Sequence, residues 1–460
     1  MAAHGGPLQQ VPEDDVAPLV HPSRFSLPAP LPSDAPLVRA LGVRQLTAAI
    51  VNTTVGAGIF VLPALVFQGL GAAAPIAFLL CATIMALLAV TLSMAGSRVA
   101  VTGGIYAYVE VAFGPFIAFL AGVLQWLTGL LAVSSVASAL LDQLAALAPV
   151  AATGSTRVGV LVVILATLAR LNVRGVRLGT RLVETVTIAK LAPLLVFVGV
   201  GAFFVEPASI AWPGFPGRDA LGRGTLLLIF AYSGVEVALA PSGEIRNPAH
   251  TVPRAVFLAL GVTTALYIAI QLVAQGVLGP ELSTQTGTPL AQGAGRFLGA
   301  AGVTLMLVGA VCSMFGYLCG DMLSSPRSLY ALARDGFLPA AFARIHPAYR
   351  TPAAAIWTHA SLVLLFASTN TFQGLAIISN VGLLMLYLLA CGAALELARR
   401  DVRIEAPPFA MPGAWLGPIA CAALLFWILS TATFREFSIT GIVLAAAILA
   451  YVVRRRATRV

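Results

Sequence analysis

Lysine is nearly missing from this chain. The 27 basic side chains (Lys and Arg) include a single lysine, Lys190, and Asp and Glu together number 18. Charged residues make up only 10% of the sequence, against about a quarter in soluble globular proteins, which excludes water as the main solvent. The five cysteines, Cys81, Cys312, Cys319, Cys391 and Cys421, all lie inside apolar runs and show no C-x-x-C spacing. That argues against a disulfide framework or a metal site. There is no H-E-x-x-H pair and no Walker motif, so neither zinc-peptidase chemistry nor P-loop ATP hydrolysis is expected of this chain. Residues 1–36 are rich in Pro with several acidic residues, and they lack an apolar core behind a basic start. They are expected to form a flexible tail and not a signal peptide.

What is present is apolar. Hydrophobic residues account for 59% of the chain, and the mean hydropathy is +0.94. Runs of about 20 apolar residues suffice to cross a bilayer as helix. They predict twelve spans near 43–68, 73–97, 112–141, 157–171, 179–205, 221–240, 255–278, 301–324, 353–370, 374–397, 414–432 and 437–453. An even number puts both termini on one side, where 21 arginines fall against five opposite. The positive-inside rule then makes both termini cytoplasmic. An odd number of spans would mix the two groups. The formal net charge of +9 is scattered through short loops without interleaved aromatics, which fits a membrane and not a nucleic acid.

Two runs carry interruptions that a plain lipid-facing helix does not need. The first span reads Asn52-Thr53-Thr54-Val55-Gly56-Ala57-Gly58-Ile59-Phe60, and the sixth reads Phe230-Ala231-Tyr232-Ser233-Gly234-Val235-Glu236. Glycine loosens a helix, and β-branched Thr does little to restore it. Unwound backbone inside a bilayer is tolerated only where protein or a wet cavity satisfies it. The interruptions lie five spans apart, so spans 1–5 and 6–10 are expected to form two repeats of opposite orientation. A half-helix N-terminus offers free N–H groups to a carboxylate, and freed carbonyls accept from an ammonium. A zwitterionic amino acid matches both ends. Close helix packing is the other use for Gly56 and Gly58, and the matching break in span 6 favours the site reading. Pseudo-symmetry of this kind favours a rocking carrier over a channel, for which rings of filter residues are expected.

At these residues the chain resembles the amino acid-polyamine-organocation superfamily of transporters, from about residue 40 to 453. Gly56-Ala57-Gly58-Ile59-Phe60 is similar to the family's first-span glycine motif. Further matching stretches are Gly103-Gly104-Ile105-Tyr106-Ala107-Tyr108, the span-6 break, and Glu244-Ile245-Arg246-Asn247-Pro248 leading to Pro253-Arg254-Ala255. The last runs from Tyr330 through Arg334-Asp335-Gly336 to Pro339.

The resemblance implies an all-α integral membrane fold of 12 transmembrane helices. It would be a 5+5 inverted repeat of the leucine-transporter kind with helices 1 and 6 broken, plus two C-terminal helices. Residues 1–38 would be a disordered cytoplasmic tail and 39–205 the first repeat. Residues 206–398 would be the second repeat, and 399–460 the last two spans with a short cytoplasmic tail. The implied activity is secondary active transport of amino acids by alternating access in the cell's inner membrane, sodium-independent and proton-coupled. Amino acid or amine exchange is the alternative, and a polyamine is disfavoured because no acidic pocket lining is evident. An enzyme is not implied, nor is a cofactor or bound metal. The partners would be an amino acid, a proton and the lipid bilayer, with a monomeric or homodimeric assembly.

Carried over residue by residue, the resemblance places the substrate carboxylate at N–H groups around Thr54, Gly56, Ala57 and Gly58. It places the ammonium at carbonyls around Phe230, Ala231 and Ser233, beside Thr53 and Gly234, with Phe230 as an aromatic lid. Trp126 in span 3 is either a pocket contact or a packed core aromatic. Glu236 resembles the family's span-6 acid, as an anchor of the broken helix or a coupling group.

Lys190 stands out because Arg stays charged in proteins whereas a desolvated Lys can release its proton. It lies about 11 residues into span 5, near mid-bilayer at 1.5 Å per residue, which favours a functional role over the alternative, snorkelling toward the cytoplasmic interface. Its segment resembles the span-5 lysine segment of sodium-independent family members. There the ammonium stands in for a sodium ion, and the corresponding partners would be carbonyls near Thr53 or Gly56 and a small span-8 residue such as Ser313 or Gly316. Asp321 is expected to pair with Arg327 or another loop arginine, and His359 to be a satisfied interior histidine.

Overall fold

In hydrocarbon every backbone N–H and C=O must be satisfied within the protein, so only helices and closed barrels cross it. The Leu-, Ala- and Val-rich runs of this chain take the helical option. The computed structural model describes residues 42–99, 104–152, 154–175, 180–234, 248–334, 336–403 and 413–457. The tail 1–38, Gly103, Glu236, Glu244 and Asp335 lie outside the described residues. Among the described residues there is helix and turn and no strand.

The first half comprises α1 (Val43–Thr54), α2 (Leu62–Leu70), α3 (Ala74–Gly96), α4 (Ile105–Phe113), α5 (Pro115–Leu147), α6 (Gly154–Val173) and α7 (Thr180–Gly201). The second comprises α8 (Arg218–Tyr232), α9 (Pro248–Leu278), α10 (Pro289–Arg334), α11 (Ala353–Thr369), α12 (Phe372–Arg399), α13 (Leu416–Ser430) and α14 (Phe434–Ala457). Proline opens α2, α3 and α5, where the missing N–H has no intrahelical partner to lose. Thr371 caps α12 by accepting from the Gly374 amide at 3.2 Å.

Seven stretches of the described residues are long and apolar enough to cross a membrane, and Ala189–Phe204, α11 and α13 are shorter apolar helices. The fourth expected span, near 157–171, is helical from Gly154 to Val173. The eighth is helical well past its expected end at 324, to Arg334, and near its start the non-helical Gly299 (φ 61°, ψ −149°) separates it from the short helix that opens at Pro289. Spans 1 and 6 are not continuous helices. α1 stops at Thr54 and α8 at Tyr232.

Residues Ala40–Val460 form one compact unit. In α12, 72% of the most apolar stretch is buried, against 11% in α14, so α12 is central and α14 peripheral. α12 lies against α5, α3 and α8; α10 packs on α5 and α7, and α9 on α1 and α3. Phe203, Phe426, Phe434 and Ile442 point outward, as a lipid-facing surface allows.

Candidate substrate site

The break in span 1 begins where Val55 donates its N–H back to the Val51 carbonyl (2.8 Å) and turns away with ψ 88°. The chain resumes as a 3₁₀ turn, Gly58–Phe60, and then α2. Ending the helix at Thr54 frees the carbonyls of Asn52, Thr53 and Thr54 from their usual partners four residues on. It also leaves the Gly56, Ala57 and Gly58 amides without a hydrogen-bond partner among the described residues. On the other side α8 ends at Tyr232, Ser233 is extended (φ −63°, ψ 147°) and Gly234 has φ 113°, a backbone region that glycine enters without steric cost.

The two breaks touch. A Cβ on Gly58 would stand 3.2 Å from the Phe230 ring and 3.3 Å from the Ala231 Cα, and one on Gly234 would stand 3.2 Å from the Thr53 carbonyl. Thr53 Oγ1 lies 3.4 Å from the Gly234 carbonyl and donates at 2.9 Å to Ile50 in its own helix.

Two neighbouring helices answer the freed carbonyls. Lys190 on α7 is buried, and its Nζ donates to the Asn52 carbonyl at 2.5 Å. Three residues on, Pro193 lies inside α7 and removes the N–H that would have bonded Ala189. Tyr267 on α9 is fully buried, with its hydroxyl 2.9 Å from the Thr54 carbonyl and 3.0 Å from the Ala231 carbonyl. One phenol thus ties the end of α1 to the end of α8. Its ring is held edge-on against Tyr232 (5.3 Å, 81°) and Phe78 (6.2 Å, 72°). The Phe230 carbonyl accepts from Ser233 Oγ at 2.9 Å. A carbonyl oxygen carries two lone pairs, so the Thr54, Phe230 and Ala231 oxygens can each accept a further donor.

Tyr267 was invisible to sequence reasoning; a phenol inside the apolar run Ala265-Leu266-Tyr267-Ile268, needing a partner at depth, was the available signal. Tyr267→Phe keeps the ring and strips the bridge. Leaving buried carbonyls short of a donor costs about 1–3 kcal/mol, so the variant should melt lower and take up substrate roughly 10-fold more slowly. Thermal unfolding and vesicle uptake measure this, and wild-type values for both would remove the bridge from the account.

Between the breaks is a cavity of about 20 Å³ lined by Thr53, Thr54, Gly56, Ala57, Gly58, Val136, Phe230, Ala231, Ser233 and Tyr317. That is room for one water and too little for an amino acid. Eight of the residues read from the two breaks therefore meet around one space, with Gly234 against Thr53. Trp126 is not in this lining. α5 contributes Val136, nearly three turns further on, and α10 contributes Tyr317. Trp126 packs against the core, its indole N–H without a partner. Phe230 meets Phe372 edge to face (5.3 Å, 82°).

Lys190 bonds the Asn52 carbonyl, one residue before Thr53 and four before Gly56, near which its partner was expected. Ser313 is buried with its hydroxyl unpartnered, and Gly316 is half-buried on the same helix. Asp321 does not pair with Arg327. Its Oδ2 lies 2.8 Å from His359 Nε2, because α11 brings that imidazole to α10. Glu396 pairs with Arg399 and Arg400 at 2.8 and 2.6 Å. On the following loop the Arg403 guanidinium holds the Asp401 carboxyl below its usual range.

A family model described as amino acid permease matches residues 41–453. The chain belongs to the amino acid permease family. Its relatives include the methylthioribose transporter of Bacillus subtilis, 29% identical over 85% of this chain and 88% of the relative. The serine/threonine exchanger of the same organism is 28% identical over 89% of this chain and 94% of the relative. Its branched-chain amino acid permease is 26% identical over 86% and 88%. This permease-family chain is thus an integral, multi-pass membrane transporter and not an enzyme.

Proposed function

We propose that the chain carries amino acids by alternating access, driven by protons and independent of sodium. The observation that carries this reading is the pairing of unbonded amides at Gly56, Ala57 and Gly58 with freed carbonyls at the ends of α1 and α8 around one cavity. Amides suit a carboxylate and carbonyls suit an ammonium. The cavity admits only a water, so loading an amino acid requires the two broken helices to part, as alternating access demands. The serine/threonine exchanger and the branched-chain permease among the relatives support this substrate class. A twelve-span layout of two inverted five-span repeats plus two spans, with both termini cytoplasmic, fits the arginine asymmetry. Lys190 supplies a cation at the α1 break, where a sodium symporter would place sodium.

The exchanger relative favours one second reading, obligatory exchange. The methylthioribose transporter supplies a contrasting substrate, since methylthioribose has neither ammonium nor carboxylate.

The test is uptake of labelled threonine, leucine and methylthioribose by reconstituted vesicles, with choline replacing sodium. Amino acid uptake should proceed unchanged in choline and rise with an inward proton gradient. Strict sodium dependence would overturn the coupling scheme, and methylthioribose uptake with no competition from amino acids would overturn the substrate class. Uptake confined to vesicles preloaded with amino acid would select exchange.

A further inference from the structure

One buried ionisable cluster plays no part in the site described above. His359 on α11 is fully buried and its Nε2 lies 2.8 Å from Asp321 Oδ2 on α10. The other carboxylate oxygen, Oδ1, accepts from Ser325 Oγ at 2.5 Å. The remaining imidazole nitrogen, Nδ1, is buried with no hydrogen-bond partner. α5 approaches bare, because it presents Gly129, where a Cβ would stand 3.2 Å from Ser325 Oγ and 4.0 Å from Asp321 Oδ1.

The pair lies just beyond the cavity. Asp321 follows the cavity residue Tyr317 by one turn of α10, and Gly129 precedes the cavity residue Val136 by two turns of α5. Positions one or two turns apart share a helix face. The pair therefore sits between the cavity and the end of the bundle where α10 terminates, the side that carries most of the arginines. Lys190 is elsewhere. Its neighbours Ala189 and Pro193 meet α10 at Gly309, about 18 Å back along the helix from Asp321 at 1.5 Å per residue.

Among the described residues, no cation on the surrounding elements pairs with the Asp321 carboxylate. α5 carries Asp142, more than three turns past Gly129 and bonded to Arg157 at 2.8 Å. α6 buries Leu161, Leu165, Leu168 and Ala169, with Arg170 exposed. The 3₁₀ turn Ala340–Ala343 has no titratable side chain. α7 bears Arg181, Glu184 and Lys190, of which Lys190 is bonded to Asn52 and the other two side chains lie outside the described residues. On α10, Arg327 is exposed and makes no ion pair with Asp321 among the described residues. With the imidazole neutral, the pair is a lone negative charge in a low-dielectric interior, which is costly. One added proton makes it neutral overall, and Nδ1 is free to carry it.

We propose that Asp321 and His359 together bind one exchangeable proton, as a site distinct from Lys190 between the cavity and the arginine-rich face. The proton resides on the imidazole, with Asp321 as its counter-charge and Ser325 fixing the carboxylate. The assignment of that face to the cytoplasm rests on the orientation given above; the proton site does not.

The experiment is a ¹⁵N-histidine NMR titration of the full chain in lipid nanodiscs across the whole pH range over which the protein stays folded. The His359 signal is the one missing from His359→Gln. It should titrate as a single proton in wild type, and this step should be lost in Asp321→Asn, where a protonated imidazole would have no counter-charge. A His359 signal constant over the range in wild type overturns the site whether or not the variants fold. So does an unchanged titration in a folded Asp321→Asn protein. Threonine uptake across the same pH range, measured in the same variants, separates this from the transport reading. A titrating pair in a protein whose uptake ignores pH would keep the proton site and remove the proton coupling.

Discussion

Lys190→Arg is expected to lose pH-dependent uptake even though it keeps the positive charge. The ammonium donates to the Asn52 carbonyl, which the break in α1 has released. Arginine presents a planar fork that needs more room than the buried point charge it replaces, and it does not give up its proton. Lys190→Ala removes the donor altogether. Losing a charge-assisted bond at a buried acceptor costs about 1.5–3 kcal/mol, or roughly 10- to 100-fold in uptake if the bond is needed in one state only. Both variants should insert and fold, as judged by gel filtration. A Lys190→Arg protein with wild-type uptake and an unchanged pH profile would show that no proton leaves this side chain, and would reduce its role to that of a fixed charge.

Gly58→Leu should abolish uptake in a protein that still reaches the membrane. The first added carbon would stand 3.1 Å from Leu62 Cδ1, 3.2 Å from the Phe230 ring and 3.3 Å from the Ala231 Cα. Leu62 and Phe230 can yield a few tenths of an ångström, but the Ala231 Cα is backbone of α8, so the remaining leucine carbons would push the two breaks apart and fill the cavity. Gly56 provides the internal control. A Cβ there meets only the Thr54 carbonyl, at 3.8 Å, so Gly56→Ala should fold and retain most uptake, whereas Gly56→Leu should block the cavity as Gly58→Leu does. Uptake by reconstituted vesicles beside a melting curve reads both effects. Normal transport by folded Gly58→Leu would remove the broken helices from the substrate site.

The apolar runs of Leu, Ala and Val, the two Gly-containing interruptions and the solitary Lys190 were legible in the sequence because each is a local property. Run length sets whether a helix can span hydrocarbon, and glycine beside β-branched or polar residues marks where it cannot stay wound. The pairing of the breaks followed from their order along the chain. What only the tertiary structure decided is which side chains meet across helices. Tyr267 reaches both Thr54 and Ala231, α5 turns Val136 and not Trp126 to the cavity, and Asp321 finds His359 instead of the nearby Arg327. Each depends on the rotation and offset of one helix against another. A turn of 100° per residue means that an error of one position moves a side chain to another face, and side-chain packing between helices sets that rotation. In the two runs where nearly every residue is apolar, α3 and α13, no polar stripe in the sequence announces it.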